Sequence, residues 1–448
     1  MLFYSGDIML RCILIILDGL GDEYIPELNG TPLQYLSGKL KVLDKLAREG
    51  IGGIMYPLSP GIPASSDTAH LSIFGYDIKK EYPGRGFFEA IGAGIRLREG
   101  EVALRFNLAT VKEVGKELII VDRRAGRIND EDAEILTRDL QKRIEEEGLP
   151  VVLKHTLEHR GVMIIKPEKE LSWRITDTDP HEINSPVLKA QPFEDTPSEE
   201  RESAEYTAQI VNSVVKLSYE VLNNHELNVK REMKGLLKAN IILPRGAGKA
   251  IRLMSFREKW GFRAAFVAGG PLYKGVARTI GMEEIKVKGA TGRVDTNLEG
   301  KVKGVIQALD KGYDFVFLHI KALDTLSHDL NPKGKAEFIA RIDKALEPLL
   351  ELEDIVIAVT GDHSTSSIRG RHIGMPLPIA FWSRKIRRDN AKYFNEIELA
   401  EKGGLGVLRG HDILPILLDL SDRAMEYGLR PSPKPVFYIG ARGEPLRV

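Results

Sequence analysis

Three short, wholly apolar runs each lead to a residue of the kind that binds metals or moves protons. Residues 13–17 (Ile-Leu-Ile-Ile-Leu) end at Asp18, residues 315–318 end at His319, and residues 355–359 lead into Gly361-Asp362-His363. Runs of this length without alternation suit strands buried on both faces, as central parallel strands are. Helical patterns lie between them, residues 297–309 and 335–352 among them. Strand alternating with helix predicts an α/β fold with a parallel sheet and helices on both faces. In open sheets of this kind ligands bind beyond the carboxyl ends of the strands, so chemistry is expected in the residues that follow the runs.

The middle of the chain reads differently. Strand-like stretches at 102–111, 118–121, 151–154 and 162–166 mix with long helical ones at 130–147 and 199–223. Residues 102–108 partly alternate, which predicts a strand buried on one face. A chain of 448 residues exceeds one comfortable core, so two domains are expected. The boundaries are set at 1–95 plus 244–448 for a discontinuous parallel-sheet domain, and 96–243 for a smaller inserted α+β cap. The C-terminal stretch 423–448 is read as late sheet or domain packing.

Composition narrows the partners. Lys plus Arg number 64 and Asp plus Glu 64, so no net charge recommends nucleic acid or an anionic membrane surface. The apolar run at 12–17 is too short to span a bilayer, and no small-residue cleavage site follows it. Cys12 is the single cysteine, which excludes an intrachain disulfide and any zinc site built on cysteine pairs. This fits a reducing compartment, and a cytoplasmic protein is expected. A homo-oligomer is compatible with the sequence but not required by it.

Four clusters carry candidate chemistry, each with a plainer alternative. Asp18 is a metal ligand or a turn and N-cap aspartate. Ser65 and Ser66, in Pro63-Ala64-Ser65-Ser66-Asp67-Thr68-Ala69-His70, stand at a helix start, where a serine either meets a phosphate on the exposed N–H groups or caps the helix. Asp324 and His328 are four apart, on one helical face, and could share a metal or pair at the surface. Asp362, His363 and His372 end or follow a strand, where each histidine alone could be structural. Together the strand ends of one sheet give three carboxylates and three imidazoles, with a serine at a helix start. Mixed oxygen and nitrogen donors suit manganese or zinc better than calcium, and paired ions of this kind stabilise the attacking and leaving oxygens of phosphoryl transfer. His411-Asp412 is read as a helix start.

These motifs, in this order, resemble the alkaline phosphatase superfamily, and more narrowly the archaeal-type branch of the cofactor-independent phosphoglycerate mutases. The carrying residues are Ile16-Leu17-Asp18-Gly19, Ser66-Asp67-Thr68-Ala69-His70-Leu71, Lys321-Ala322-Leu323-Asp324 with His328, Gly361-Asp362-His363-Ser364, and His372 ahead of Pro376-Leu377-Pro378. Lesser matches are Arg85-Gly86-Phe87-Phe88-Glu89-Ala90, Asp122-Arg123-Arg124-Ala125-Gly126-Arg127, Arg245-Gly246-Ala247-Gly248 and Thr291-Gly292-Arg293-Val294-Asp295-Thr296-Asn297. The resemblance implies an alkaline-phosphatase-like domain interrupted by a cap. It implies one divalent ion on Asp324, His328 and His372, and a second on Asp18, Asp362 and His363 beside Ser66, the nucleophile. Manganese is expected, with magnesium, zinc or cobalt as alternatives and no 2,3-bisphosphoglycerate.

The activity implied is interconversion of 3-phosphoglycerate and 2-phosphoglycerate through a phosphoserine. Lys321 would neutralise phosphoryl charge. In the cap, Asp122, Arg123, His159 and Arg160 would bind the glycerate, joined by Arg245 just beyond the cap boundary, with Asp122 or His159 moving protons. A phosphomonoester hydrolase and a sugar-phosphate mutase of the same superfamily are the alternatives, and a non-catalytic phosphate-binding protein is a third.

Overall fold

The structure, a computed structural model, describes residues 9–424. Nearly all of the C-terminal stretch 423–448, read above as late packing, lies outside the described residues. The chain begins with strands β1 (Arg11–Leu17) and β2 (Ile51–Tyr56). It continues through β3 (Val102–Val114), β4 (Glu117–Asp122), β5 (Val151–Leu157), β6 (Arg160–Ile165) and β7 (Ile241–Lys249). It then forms β8 (Ala264–Val267), β9 (Glu283–Glu284), β10 (Phe315–Ile320), β11 (Ile355–Thr360), β12 (Ser364–Ser366), β13 (Arg371–Ile373), β14 (Leu377–Trp382) and β15 (Gly406–Arg409). Residues Pro83–Arg252 form one compact unit, and the described residues on either side form the other. No helix among the described residues is long and apolar enough to cross a membrane.

The discontinuous unit is built on an eight-stranded sheet in the order β15-β2-β14-β11-β1-β10-β8-β9. The three apolar runs lie side by side at its centre. β1 is parallel to both β10 and β11, and all three are buried almost throughout. Burying one such Ile, Leu, Val or Phe side chain contributes about 1.5–3 kcal/mol, so this ladder is the natural core. One strand departs from the parallel expectation: β14 runs antiparallel to β11 and β2. A parallel return needs a crossover, usually a helix. Here the connection from β11 to β14 is occupied by the hairpin β12–β13.

Two further readings are corrected by packing. The helical pattern at 335–352 divides into an α-helix, Pro332–Ala345, and a 3-10 turn, Glu347–Glu351. Pro348 stands at the start of that turn and has no N–H to continue an α-helical ladder. The strand at 102–108 is buried on both faces at its beginning. Val102, Leu104, Phe106 and Leu108 enter the larger core of the inserted unit, while Ala103 packs with Ala90 and Val162 in a smaller cluster. The helix Arg85–Gly92 supplies that second cover, and Gly86 lets it approach: a Cβ there would stand 2.1 Å from the Ala103 carbonyl oxygen. The compact unit therefore starts at Pro83 and ends at Arg252, wider than 96–243, because this helix packs on β3 and β7.

Within the inserted unit, β3 is the central strand. It pairs antiparallel with β6 and β7 along its first part and with β4 near its end. Helices Asp130–Glu146 and Arg201–Leu222 bury their apolar stripes on the larger core.

A buried ion pair ties the loop after β1 to the rest of its unit. Lys335, fully buried, donates from Nζ to the Gly21 carbonyl at 3.0 Å, to Asp22 Oδ2 at 2.9 Å and to the Thr365 carbonyl at 3.2 Å. Asp22 also accepts from the Ser367 backbone N–H at 2.9 Å and from the Ser367 hydroxyl at 2.5 Å. Every donor of the ammonium has an acceptor, which is what makes such a charge tolerable inside. Replacing Lys335 with Met removes those donors and leaves Asp22 charged and buried. We expect a loss of about 3–5 kcal/mol in chemical denaturation, and a smaller loss when Asp22→Asn is combined with it.

Candidate active site

The register of the central strands decides where the polar residues meet. Leu17 is level with Ile320, and Ile16 with Thr360, so Asp18, Lys321 and Asp362 leave the sheet at the same height. The turn that follows β1 is tight. Gly19 has φ +71°, and a Cβ on it would lie 2.7 Å from the Asp324 Cα, so glycine is required twice over. The Gly19 N–H and the His363 N–H both donate to Asp362 Oδ1, at 3.1 and 3.0 Å. After β10 the chain turns at Lys321 into the helix Ala322–His328, which carries Asp324 in its first turn and His328 in its last.

Two trios result, Asp324 with His328 and His372, and Asp18 with Asp362 and His363. In each, one ligand-type atom per residue lies within 4.8 Å of the others. Asp324 Oδ1 is 3.3 Å from His328 Nε2 and 3.4 Å from His372 Nε2. His363 Nε2 is 3.4 Å from Asp18 Oδ1 and 3.4 Å from Asp362 Oδ2. The far nitrogen of each imidazole is anchored. His328 Nδ1–H donates to the Gly370 carbonyl at 2.6 Å, and His372 Nδ1–H to the Ala64 carbonyl at 2.8 Å. The Thr365 hydroxyl donates to Asp324 Oδ1 at 3.1 Å, so it accepts from His363 Nδ1–H at 3.0 Å. With Nδ1 engaged, each of the three rings directs its Nε2 into its trio, the orientation expected of metal-bound histidines.

The charges in these trios are not satisfied by protein alone. Asp18 and Asp362 are fully buried, yet both Asp18 oxygens and Asp362 Oδ2 have no hydrogen-bond partner. Burial and the neighbouring Asp18 charge push the Asp362 carboxyl well above its ordinary pKa. Asp324 goes the other way: burial opposes its charge, but His328, His372 and Lys321 hold it far below the usual carboxylate range. His363 is driven down to about 3 by burial and by His372, so its ring is neutral at ordinary pH. Unpartnered carboxylate oxygens facing the neutral His363 ring fit a divalent cation, with the donor set that manganese or zinc accepts.

Ser66 begins the helix Ser66–Ile73, with Ser65 in the N-cap position. The Ser65 side chain makes no cap bond to the helix and instead meets the Thr68 hydroxyl at 2.9 Å. The Ser66 hydroxyl donates to His363 Nε2 at 3.2 Å. Its oxygen thus sits at a helix N-terminus and within reach of the second trio. Lys321 places its ammonium 2.9 Å from Asp324 Oδ2 and 3.6 Å from Asp18 Oδ2.

The cap residues gather within the inserted unit. Arg123 grips Asp179 through two bonds, Nε to Oδ1 at 2.9 Å and a terminal nitrogen to Oδ2 at 2.6 Å, and Arg245 stands 3.4 Å from the same carboxylate. Burial, together with Arg105, Arg123 and Arg85, pushes the Arg245 pKa down to about 9 against the pull of Asp179. Asp122 Oδ1 accepts the backbone N–H groups of Arg124 and Gly126 at 2.7 and 3.0 Å, so one of its oxygens serves the turn. His159 is buried with Nδ1 unpartnered, among Arg160, Arg124 and Arg245. Arg160 begins β6 and is exposed.

Some residues in these clusters carried no signal in sequence. Thr365 bridges the two trios, and Asp179 holds the arginine pair, yet each is a common residue in an unremarkable segment. His319 appeared to follow a strand but lies inside it, buried, with Nε2 3.2 Å from Asp18 Oδ2. Tyr273 stacks on the His319 ring with centroids 3.6 Å apart.

Known proteins resemble this chain along almost its whole length. A family model described as 2,3-bisphosphoglycerate-independent phosphoglycerate mutase matches residues 47–228. A relative of that name from Pyrococcus abyssi is 46% identical over 421 residues, which cover 93% of this chain and 98% of the relative. Another, from Methanocaldococcus jannaschii, is 42% identical over 422 residues, 93% of this chain and 99% of its own. Among solved structures, one from Pyrococcus horikoshii matches with a TM-score of 0.78 at 38% identity, covering 94% of this chain and all (100%) of that one. The cofactor-independent phosphoglycerate mutase of Thermoplasma acidophilum matches with a TM-score of 0.63 at 35% identity, covering 92% and 100%. With identity at this level over nine-tenths of its length, the chain belongs to the 2,3-bisphosphoglycerate-independent phosphoglycerate mutase family.

Proposed function

We propose that the protein interconverts 3-phosphoglycerate and 2-phosphoglycerate through a phosphoserine at Ser66, without 2,3-bisphosphoglycerate. The observation that carries this reading is the Ser66 hydroxyl, 3.2 Å from His363 Nε2 at a helix start beside two carboxylate–imidazole trios. The names of the relatives supply the substrate. Asp324, His328 and His372 would hold one divalent ion, and Asp18, Asp362 and His363 with Ser66 the other. Manganese is the ion proposed, with magnesium, zinc and cobalt as competitors. Bound there, such ions supply positive charge that favours the serine alkoxide and neutralises phosphoryl oxygens.

In this mechanism Ser66 Oγ attacks phosphorus in line and the bond from phosphorus to the glycerate oxygen breaks. That oxygen gains a proton. The neighbouring glycerate hydroxyl later gives up its proton and takes the phosphoryl group from Ser66. Lys321 contributes a fixed ammonium to the phosphoryl oxygens, and the N–H groups of the Ser66–Ile73 helix add partial positive charge. Arg123, Arg160 and Arg245 are assigned to the glycerate carboxylate, since a guanidinium fork matches that group. His159 is the better proton carrier of the two residues considered, because its ring is neutral with a free nitrogen whereas Asp122 is engaged by its turn. The inserted unit gives a mutase what a phosphatase lacks, a means to hold glycerate until the phosphoryl group returns. A cytoplasmic setting belongs to the same proposal, in keeping with a chain that has one cysteine.

Purified protein supplied with manganese and 3-phosphoglycerate, and no 2,3-bisphosphoglycerate, should form 2-phosphoglycerate without matching release of free phosphate. Ser66→Ala should form none. Free phosphate alone would make the protein a phosphomonoester hydrolase and sink the role given to the inserted unit.

His159→Gln should lower kcat by about 100-fold, the ordinary size of a lost proton carrier. The same variant reads out stability. Burial and the nearby arginines push the His159 pKa down to about 4, whereas a histidine in the unfolded chain titrates near about 6.5. As pH falls the unfolded chain therefore binds this proton first. Neutral His159 contributes stability that is present above the unfolded value and lost as pH falls through it towards 4. The drop in melting temperature between pH 7 and pH 4.5 should be smaller in the variant than in the parent protein.

A further inference from the structure

Lys321 has more to bind it than the reaction requires, and one of its partners is neutral. Its Nζ donates to Asp324 Oδ2 at 2.9 Å and to the Tyr273 phenol oxygen at 3.0 Å, and it makes a longer ion pair, without a hydrogen bond, with Asp18 Oδ2 at 3.6 Å. Tyr273 is in turn rigid. It lies in the first turn of the helix Pro271–Thr279, is 3% exposed, and stacks its ring on His319 with a 23° tilt. The His70 ring stands 5.2 Å away on the same aromatic cluster.

An ammonium has three N–H donors. With two engaged by Asp324 and Tyr273, one remains for a phosphoryl oxygen. Without the phenol oxygen, the ammonium would have only carboxylates within reach. It would settle between Asp324 and Asp18, pairing charge that the divalent ions need and turning its free donor away from substrate.

We infer that Tyr273 is a positioning residue of the phosphoryl-transfer site: its hydroxyl keeps Lys321 from closing the 3.6 Å ion pair with Asp18 to a hydrogen bond, which leaves the Asp18 oxygens open to a divalent cation and one lysine donor for the phosphoryl group. This rests on the metal and lysine roles proposed above. It also states a coupling, because the phenol acts only through Lys321.

The test is a double-mutant cycle on the full chain, with Tyr273→Phe, Lys321→Met and both together. Phenylalanine keeps the ring that stacks on His319, so the fold is retained, and a melting curve for each variant checks it. Manganese affinity is measured by calorimetry in the absence of substrate. Tyr273→Phe should weaken manganese binding about tenfold when Lys321 is present and leave it unchanged when residue 321 is methionine. In turnover assays the single variant should lose about tenfold in kcat with KM nearly unchanged. Equal losses of affinity in both backgrounds, or a Tyr273→Phe protein that binds manganese as the parent does, would overturn the inference. Because the cycle is read in metal affinity, it remains decisive if the parent protein proves to act on another phosphate ester.

Discussion

Three buried carboxylates brought together at the ends of neighbouring strands govern the rest of this protein. Asp18, Asp324 and Asp362 are each at most 5% exposed, and their surroundings supply one ammonium, Lys321, and imidazoles. An uncompensated buried carboxylate costs several kcal/mol, so the surrounding structure must hold them in place against their own repulsion. It does so with backbone and with anchored rings. The Gly19 and His363 N–H groups fix Asp362, Thr365 joins His363 to Asp324, and carbonyls hold His328 and His372 by their far nitrogens. The Lys335–Asp22 pair secures the loop after β1 from below. Both Asp18 oxygens and Asp362 Oδ2 are still left without a hydrogen-bond partner, which is the arrangement that fits a divalent cation.

The inserted unit has the opposite surplus. Burial and the neighbouring Arg105, Arg123 and Arg85 lower the preference of Arg245 for charge, with Asp179 pulling the other way, while Glu89 pairs with Arg85 and Arg105 and Asp179 with Arg123. Each unit has its own sheet and core, so the buried carboxylates and the crowded arginines are accommodated without compromising a common interior.

How much was legible in the sequence follows from the kind of physics involved. The central strands could be read because burial on both faces forces continuous apolar residues, and the ligands could be read because metal chemistry restricts residue type. The resemblance grouped those ligands into trios, and the same grouping emerges from distances in the structure. Interactions that depend on partner and direction were less visible. Nothing local to residues 377–382 says that β14 runs backwards; the hairpin that replaces a crossover decides it. The second face of β3 looked open because its cover, the helix Arg85–Gly92, lies outside the boundary drawn at 96. Pro348, by contrast, was available in the sequence as the reason the helical pattern at 335–352 cannot continue.

By itself the sequence determined a parallel-sheet core, an insertion, a chain too polar at three strand ends to be inert there, and membership of a recognisable chemical class. Those properties follow from composition and order along the chain. Tertiary structure alone decided which oxygen faces which nitrogen: that Thr365 links the trios, that Asp179 sits between two arginines, and that Tyr273 reaches Lys321. The partners in those contacts are far apart in sequence and common in type. Their meeting depends on strand register and helix packing, which no short stretch of residues encodes.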